Sequence, residues 1–230
     1  MCPRFAQAAT LQELRNLFGF EDEDRQLPLR FNIRPTDPVM IIRLTEGRRE
    51  PVFASWWLIP PWADAPNNKY PMFNARSESL LDRKAYAEPA RNKRCLIPMT
   101  GWFEFHPEGG IRQPYYFSLK SSARFAAAGL WQVSARGREP VTSCTMVTVD
   151  GNPLIAQYNV KNRMPALVPE EAWDAWLDTE EVSAEHALSR LASWPEEDIT
   201  VHAVDRNELN KTTGDGPACI EPWQPAPGRG

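Results

Sequence analysis

Apolar residues along this chain are concentrated in short runs bounded by proline, glycine or polar residues, and such runs are typical of β-strands. The runs that predict strands span residues 38–44, 51–57, 95–99, 101–106, 114–119, 124–131, 141–149 and 199–204. The segment Pro-Glu-Gly-Gly at 107–110 stands between two of them and predicts the turn of a β-hairpin.

Helical spacing of apolar residues is confined to a few segments. Residues 11–18 place leucine and phenylalanine side chains on one helical face, and Thr10 with Glu13 predicts a capping box at the start. Further helical patterns occupy 169–177 and 181–192. Because strands outnumber helices and are not interleaved with them, the pattern predicts an α+β fold with a mainly antiparallel, barrel-like sheet core and short flanking helices.

The length of the chain suits one globular domain, since 42% of its 230 residues are hydrophobic. We expect this domain to span residues 1–213, followed by a tail at 214–230 that is rich in proline and glycine and ends disordered. No stretch approaches the roughly 20 apolar residues of a membrane span, and the N-terminus lacks the apolar core of a signal peptide. A cytosolic or nuclear protein is therefore expected.

Charge and cysteine content narrow the function classes. The formal net charge is −4, so nucleic-acid binding would have to use a local basic patch such as 91–94, although most charge runs are solvated surface. Cysteine occurs at Cys2, Cys95, Cys144 and Cys219, with no C-x-x-C pair and no Cys/His spacing typical of zinc. We therefore expect no metal or other cofactor.

Cys2 follows the initiator methionine directly. If Met1 is removed, Cys2 carries an α-amine and a thiol on adjacent carbons, with ordinary pKa values of about 8 and about 8.5. Both groups are then partly in their nucleophilic forms near neutral pH. Such an amine condenses with an aldehyde to an imine, and the thiol then closes a five-membered thiazolidine ring. The alternative is that Cys2 merely belongs to a frayed terminus.

Three separate segments carry polar residues in patterns that favour a binding site. Asn74 and Arg76 are two positions apart, so on a strand they point the same way and can hold a phosphate and a sugar oxygen. Glu104 stands between aromatic residues of an apolar strand, where a carboxylate is costly unless it is paired or functional. The third segment is the Arg-Met-Pro sequence that begins at Arg163. Each has an ordinary structural alternative, which for Glu104 is a solvent-facing position on a half-buried strand.

Together these motifs resemble the SRAP family, the SOS response-associated peptidases or abasic-site shield proteins, from residue 2 to about residue 213. No single motif is decisive, and the resemblance rests on six that occur in the family order. They are Met-Cys-x-Arg-Phe at 1–5, Asn32 with Pro35, Trp-x-Leu-Ile-Pro-x-Trp at 56–62, Asn-Ala-Arg-x-Glu at 74–78, Gly-Trp-Phe-Glu at 101–104 and Arg-Met-Pro at 163–165.

The resemblance implies a role in the DNA damage response. Proteins of this family bind single-stranded DNA and its junctions with duplex, and they trap the ring-opened aldehyde of an abasic site on the N-terminal cysteine as a thiazolidine. The family name records an inferred autoproteolysis that removes Met1. By position, Cys2 is the nucleophile, Asn74 and Arg76 hold the lesion and its phosphates, and Glu104 transfers protons.

The resemblance also implies a wider DNA-binding surface, on which tryptophan rings can stack bases, although most tryptophans in such a chain belong to the core. The residues expected to contact DNA are Arg4, Arg34, Arg76, Trp57, Trp62 and Arg163. The expected partner is single-stranded DNA that contains abasic sites. We expect the protein to act as a monomer in the cytoplasm, associated with the nucleoid if the source is bacterial.

The chain departs from the family pattern at several positions. The usual histidine before Arg-Met-Pro, thought to assist sugar ring opening and adduct reversal, is replaced by Lys161, and a lysine is usually a point charge rather than a proton shuttle. Pro3 and Trp57 replace glycines, and Arg34 replaces a small residue. We assign Lys161 to the catalytic residues and leave open how efficiently it replaces the histidine. We expect Pro3 to hinder the removal of Met1.

Two other functions remain open from the sequence. One is a noncatalytic single-stranded DNA-binding relative whose chemistry is weakened by Lys161. The other is a cysteine peptidase, which is disfavoured because Cys2 has no histidine base in register.

Overall fold

The computed structural model describes residues 3–21, 27–67, 69–137 and 139–223, and these form an α+β fold. The strands are β1 (Arg4–Gln7), β2 (Arg30–Ile33), β3 (Pro38–Thr45), β4 (Arg48–Trp56), β5 (Asn74–Arg76), β6 (Arg94–Met99), β7 (Gly101–Glu108), β8 (Ile111–Leu119), β9 (Phe125–Ser134), β10 (Val141–Asp150), β11 (Arg163–Pro165), β12 (Leu167–Val168) and β13 (Ile199–Ala203). The helices are α1 (Leu11–Phe18), α2 (Lys84–Asn92), α3 (Pro153–Tyr158), α4 (Trp173–Leu177), α5 (Ala184–Ser189) and α6 (Arg206–Asn210).

The larger sheet closes into a barrel. Its strands run in the order β11-β10-β4-β3-β6-β9-β12, and β10 also pairs with β9, so that the path returns on itself. β10 is parallel to β4 and to β5, whereas the other pairings in this sheet are antiparallel. The predicted barrel-like, mainly antiparallel core is confirmed.

The smaller sheet is antiparallel throughout, in the order β13-β8-β7-β1-β2. One face contributes Phe5, Trp102 and Phe117 to the main core, where the Trp102 and Phe117 rings stack at 5.4 Å. The opposite face carries Phe103 and Tyr116, which belong to a second cluster of buried residues. This sheet therefore lies between the barrel on one side and the C-terminal segment on the other.

All the predicted strand runs form strands, with ends shifted by up to three residues. Helix α1 has the predicted limits, and both hydrogen bonds of the Thr10–Glu13 capping box are present. Only the middle of the predicted helix at 181–192 is helical, and 169–177 is a 3-10 turn followed by α4. The short strands β1, β2, β5, β11 and β12 and the helices α3 and α6 were not predicted, because elements of this size carry little periodic signal. Helix α2 was not predicted either, since Pro89 lies inside it and proline is typical of helix ends and loops.

The C-terminal segment packs onto the domain further than the predicted boundary at residue 213. Asp215 accepts hydrogen bonds from the backbone N–H groups of Phe31 at 2.6 Å and Asn32 at 2.7 Å. Cys219 is 1% exposed and belongs to the second cluster. The predicted boundary between domain and tail stays a prediction, and residues 224–230 of the expected tail lie outside the described residues.

The run at 91–94 is not a continuous basic patch, because Arg94 is 1% exposed. Its guanidinium donates to the carbonyl oxygens of Trp176 and Asp178 at 2.6 Å, of Val182 at 2.8 Å and of Ala90 at 3.1 Å. Burial lowers the pKa of Arg94. This one cation therefore ties β6 and α2 to the segment around α4.

No helix in the described part of the chain has the length and apolar character needed to cross a membrane.

We expect Arg94→Lys to lower the free energy of unfolding by about 2 kcal/mol or more, because one ammonium cannot satisfy the carbonyl oxygens that the planar guanidinium reaches. The measurement is chemical denaturation followed by tryptophan fluorescence. Arg91→Lys is the matched control, since Arg91 is exposed and bonds only the Ala87 carbonyl at 3.4 Å. Equal stability of the two variants would contradict the assigned role.

Candidate functional site

A cleft of about 590 Å³ opens where the smaller sheet meets the segment leading into β5 and the loop that follows α3. The residues that line it are Pro3, Arg4, Phe73, Glu104, Phe105, Arg112, Asn159, Val160 and Lys161. Four of these residues, Arg4, Glu104, Arg112 and Lys161, have ionisable side chains.

Glu104 is a buried acid at the base of this cleft. It lies opposite Tyr115 in the β7–β8 pairing and is 3% exposed. Burial raises the pKa of Glu104 to about 8, against a smaller opposing effect of a hydrogen bond with the Asn159 side chain. Its Oε1 has no hydrogen-bond partner among the described residues. At neutral pH this carboxyl group is therefore mostly protonated and can donate a proton.

The position of Glu104 depends on close packing at the start of β7. A Cβ atom on Gly101 would lie 2.3 Å from the Tyr116 ring and 2.4 Å from the Phe117 carbonyl oxygen. Only glycine fits there, which explains the glycine of the Gly-Trp-Phe-Glu motif.

Asn159 organises the loop that forms the opposite wall. Its Nδ2 donates to the Arg163 carbonyl at 2.7 Å, and its Oδ1 accepts from the Lys161 backbone N–H at 2.9 Å. Lys161 lines the cleft, so the structure brings it to the same cavity as Glu104. The sequence reasoning missed Asn159, whose place four residues before the arginine of Arg-Met-Pro was the one signal for it.

Asn74 and Arg76 lie on β5, which runs parallel to β10. Asn74 is 8% exposed, whereas Arg76 is exposed, and strand alternation directs both side chains to one side of β5. Phe73, the residue before Asn74, lines the cleft. The pair therefore extends from the edge of the cleft towards solvent.

Arg4 and Arg34 both bond to the end of α6. Arg4 Nη1 donates to the Leu209 carbonyl at 2.6 Å, and Arg34 Nη2 donates to the same oxygen at 3.1 Å and to the Lys211 carbonyl at 2.7 Å. Burial, followed by the charge of Arg34, lowers the pKa of Arg4. Arg4 also lines the cleft, whereas Arg34 is not among its lining residues.

Arg163, one of the predicted DNA contacts, is buried among protein partners. Its side chain is 4% exposed and forms a two-point ion pair with Glu78, with both distances 2.9 Å. Its Nη1 also lies 2.6 Å from Asp150 Oδ1, and its Nη2 lies 2.6 Å from the Thr148 carbonyl oxygen. A guanidinium held in this way fixes β11 to β10 and to the turn after β5, and it is not free to bind a phosphate.

Trp57 also differs from its predicted role. It is 7% exposed and packs against Phe73 with ring centres 5.4 Å apart, so it supports the wall of the cleft and offers no open face for a base. Trp62 is 45% exposed, with the Lys84 Nζ 4.9 Å from its ring, and it lies outside the residues that line the cleft.

Cys2 lies outside the described residues. Pro3, its neighbour in sequence, lines the cleft. The other cysteines, Cys95, Cys144 and Cys219, are buried free thiols. Among the described residues, no group of three or more His, Cys, Asp or Glu side chains is arranged to hold a metal ion.

This chain is similar along most of its length to proteins that are named abasic site processing proteins. The abasic site processing protein YoaM of Bacillus subtilis is 28% identical over 211 residues, which cover 89% of this chain and 91% of that protein. The abasic site processing protein YedK of Escherichia coli is 25% identical over 232 residues, which cover 96% of this chain and 100% of that protein.

The fold is shared with solved structures. A crystal structure of a protein from Bacteroides thetaiotaomicron matches with a TM-score of 0.85 at 24% identity, covering 97% of this chain and 100% of that one. A second, from Bordetella bronchiseptica, matches with a TM-score of 0.74 at 24% identity, covering 89% and 100%.

The family model of the SOS response associated peptidases matches residues 1–211. Because that match spans nearly the whole chain and agrees with the fold, this protein belongs to the SOS response associated peptidase (SRAP) family.

Proposed function

We propose that this protein binds single-stranded DNA and traps abasic sites covalently through Cys2, after removal of Met1, and so shields the lesion during the DNA damage response. The observation that carries the proposal is the buried, protonated Glu104 at the base of a cleft that Pro3 also lines. Neighbouring Cα atoms are about 3.8 Å apart, so Cys2 is one residue from that cleft. The relatives named as abasic site processing proteins support the same function.

The chemistry divides between the terminal residue and the buried acid. The α-amine of Cys2 adds to the aldehyde carbon of the opened sugar and gives a carbinolamine. Glu104 donates its proton to the carbinolamine hydroxyl, which leaves as water, and an iminium ion forms. The thiol of Cys2 then adds to the iminium carbon, the thiol proton is released to solvent, and the neutral thiazolidine ring closes. A neutral carboxyl group is the form needed for the second step, and burial of Glu104 supplies it at neutral pH.

Binding of the DNA backbone depends on cations around the cleft. The net charge is −4, so attraction to phosphates has to be local. Arg4, Arg112 and Lys161 line the cleft, and exposed Arg76 follows Asn74 on β5. Arg112 was not predicted from the sequence, because an isolated arginine on a hairpin strand carries no motif.

A second candidate function is favoured by Lys161. Its position in the cleft is compatible with a protein that binds single-stranded DNA and lacks efficient chemistry, since an ammonium accepts no proton. A peptidase activity has less support, because none of the three histidines His106, His186 and His202 lines the cleft.

One experiment separates these functions. The protein is incubated with a single-stranded oligonucleotide that contains one abasic site, and the products are run on a denaturing and on a native gel. A heat-stable shifted band supports covalent trapping. A shift on the native gel alone supports the noncatalytic function, and a shift on neither gel contradicts both.

We expect Cys2→Ala to abolish the denaturation-resistant adduct without loss of stability, because a terminal residue contributes little to the core. The adduct is quantified on the denaturing gel, and intact-mass spectrometry reports whether Met1 has been removed. Cys144→Ala is the matched control, since it removes a thiol buried in the main core. A normal adduct in Cys2→Ala, or an adduct on protein that retains Met1, would contradict the mechanism.

We expect Glu104→Gln to slow adduct formation by about 10²–10⁴-fold, the usual range for general acid–base assistance. In the wild type the rate should fall as the pH rises through about 8, because Glu104 loses its proton there, and the variant should lack this descending limb. The measurement is the rate of adduct formation between pH 6 and about pH 9.

We expect Glu104→Gln also to change how the free energy of unfolding depends on pH. The folded-state pKa of Glu104, about 8, exceeds its ordinary value of 4.5, so the folded protein holds this proton more tightly. The free energy of unfolding of the wild type should therefore decrease from about pH 4.5 to about pH 8, and Glu104→Gln should remove that decrease. Parallel pH profiles for the two proteins would show that Glu104 is not buried in this way.

We expect Lys161→His to form the adduct faster and to release it faster when excess competitor is added. The reason is that an imidazole can both donate and accept a proton near neutral pH, whereas an ammonium only donates. The measurement compares wild type and variant at equal saturation with DNA. A variant that is slower in both directions would mean that Lys161 is an adapted catalytic group.

A further inference from the structure

Successive positions on one face of β7 carry buried polar atoms without a hydrogen-bond partner among the described residues. These atoms are Trp102 Nε1, Glu104 Oε1 and His106 Nδ1. Residues two apart on a strand share a face, so the atoms form a row. Buried polar atoms are nearly always hydrogen-bonded to protein or to ordered water. The row therefore indicates positions along the strand at which water molecules can bind.

His106 is the member of this row nearest the protein surface. Its Nδ1 is buried, while the side chain as a whole is half-buried. Two residues of a strand span about 7 Å, so the side chains of Glu104 and His106 are neighbours on one face, and one water can bridge their unpartnered atoms. His106 can therefore connect the buried carboxyl of Glu104 with solvent.

The wall of the cleft links the same two residues from the other side. The Tyr158 ring at the end of α3 lies 6.3 Å from His106 and 4.6 Å from Tyr115, the cross-strand neighbour of Glu104. The next residue, Asn159, hydrogen-bonds to Glu104. His106 thus contacts Tyr158 and Glu104 contacts Asn159, so two adjacent residues of the chain pack against the pair.

The other groups around this pair are poorer proton carriers. A hydrogen bond with Glu108, together with burial, raises the pKa of Tyr115 to about 12. Gln113, opposite His106, is an amide whose Nε2 donates to the Pro114 carbonyl at 3.0 Å and the Val204 carbonyl at 2.9 Å. The remaining facing groups are the Tyr158 phenol and the cations Arg112 and Lys161 of the cleft. An imidazole is the side chain that accepts and releases protons near neutral pH.

We propose that His106 is a positioning residue that relays protons between solvent and Glu104, and that it supports the acid–base step in a chain with lysine at position 161. The inference rests on the proposed function. After Glu104 has protonated the departing hydroxyl, its carboxylate takes a proton from the bridging water, which takes one from the His106 imidazolium. The neutral imidazole then recovers a proton from solvent, and the thiol proton is released to solvent when the ring closes, so each cycle has no net uptake of protons and releases one water from the carbinolamine.

The test compares His106→Gln with His202→Gln in the full chain. His202 is the matched control, because its ring contacts Tyr116 on the opposite face of the sheet and its Nε2 lies 2.8 Å from the Ile220 carbonyl oxygen. We expect His106→Gln to slow adduct formation about tenfold near pH 7, a part of the usual acid–base contribution, with unchanged DNA affinity and melting temperature. Added imidazole should restore the rate of His106→Gln, since a diffusible base replaces a lost relay but not a lost contact.

Two results would overturn the relay. One is a wild-type rate for His106→Gln at every pH tested. The other is a slow rate that imidazole does not restore, accompanied by a lower melting temperature, which would make His106 a structural residue.

A measurement without DNA separates this inference from the proposed function. In protein with labelled histidine, NMR titration of His106 should change its midpoint in Glu104→Gln, while that of His202 should not. An unchanged His106 midpoint refutes the relay even if the wild type forms the adduct. A changed midpoint in a protein that forms no adduct refutes the proposed function and leaves the coupling between the two residues established.

Discussion

The burial of one carboxyl group, that of Glu104, is the constraint around which this fold is arranged. Removing a carboxylate from water is costly, and the cost is reduced if the group keeps its proton. β7 holds Glu104 between β1 and β8, with the stacked pair of Trp102 and Phe117 beside it. At the start of the strand, Gly101 packs so closely against Tyr116 that a Cβ atom would not fit. Local packing thus produces an acid that is neutral at physiological pH, where an exposed glutamate would be ionised.

The cleft above Glu104 is held by contacts between distant parts of the chain. Arg4, Arg34 and Asn32 all donate to the carbonyl oxygen of Leu209 at the end of α6. Asp215 then fixes the following segment to the backbone of β2. Because β2 pairs with β1, the segment around Asp215 braces the strand that follows Pro3 at the edge of the cleft.

The arginines of the family motifs serve different purposes, which depend on their neighbours. Arg163 is buried and bonded to Glu78 and Asp150. It therefore joins β11 to the end of β10 and to the turn after β5. Arg76 is exposed at the end of β5. Arg4 is intermediate, since it bonds to α6 and also lines the cleft. A guanidinium that is already bonded to carboxylates contributes rigidity, whereas an exposed one can meet a phosphate.

The sequence by itself determined the α+β class, the long strands and the limits of α1, and through the family resemblance it predicted Asn74, Glu104 and Lys161 as members of one site. These follow from local periodicity, from capping chemistry and from motifs whose order is visible along the chain. Tertiary structure decided that Glu104 is buried, that Arg163 and Trp57 face inward, that Asn159 and Arg112 belong to the cleft, and that Asp215 bonds to the backbone of β2. The reason is physical: burial, ion pairing and the pKa of a carboxyl group depend on which distant strands pack against a residue, and that information is not contained in its neighbours along the chain.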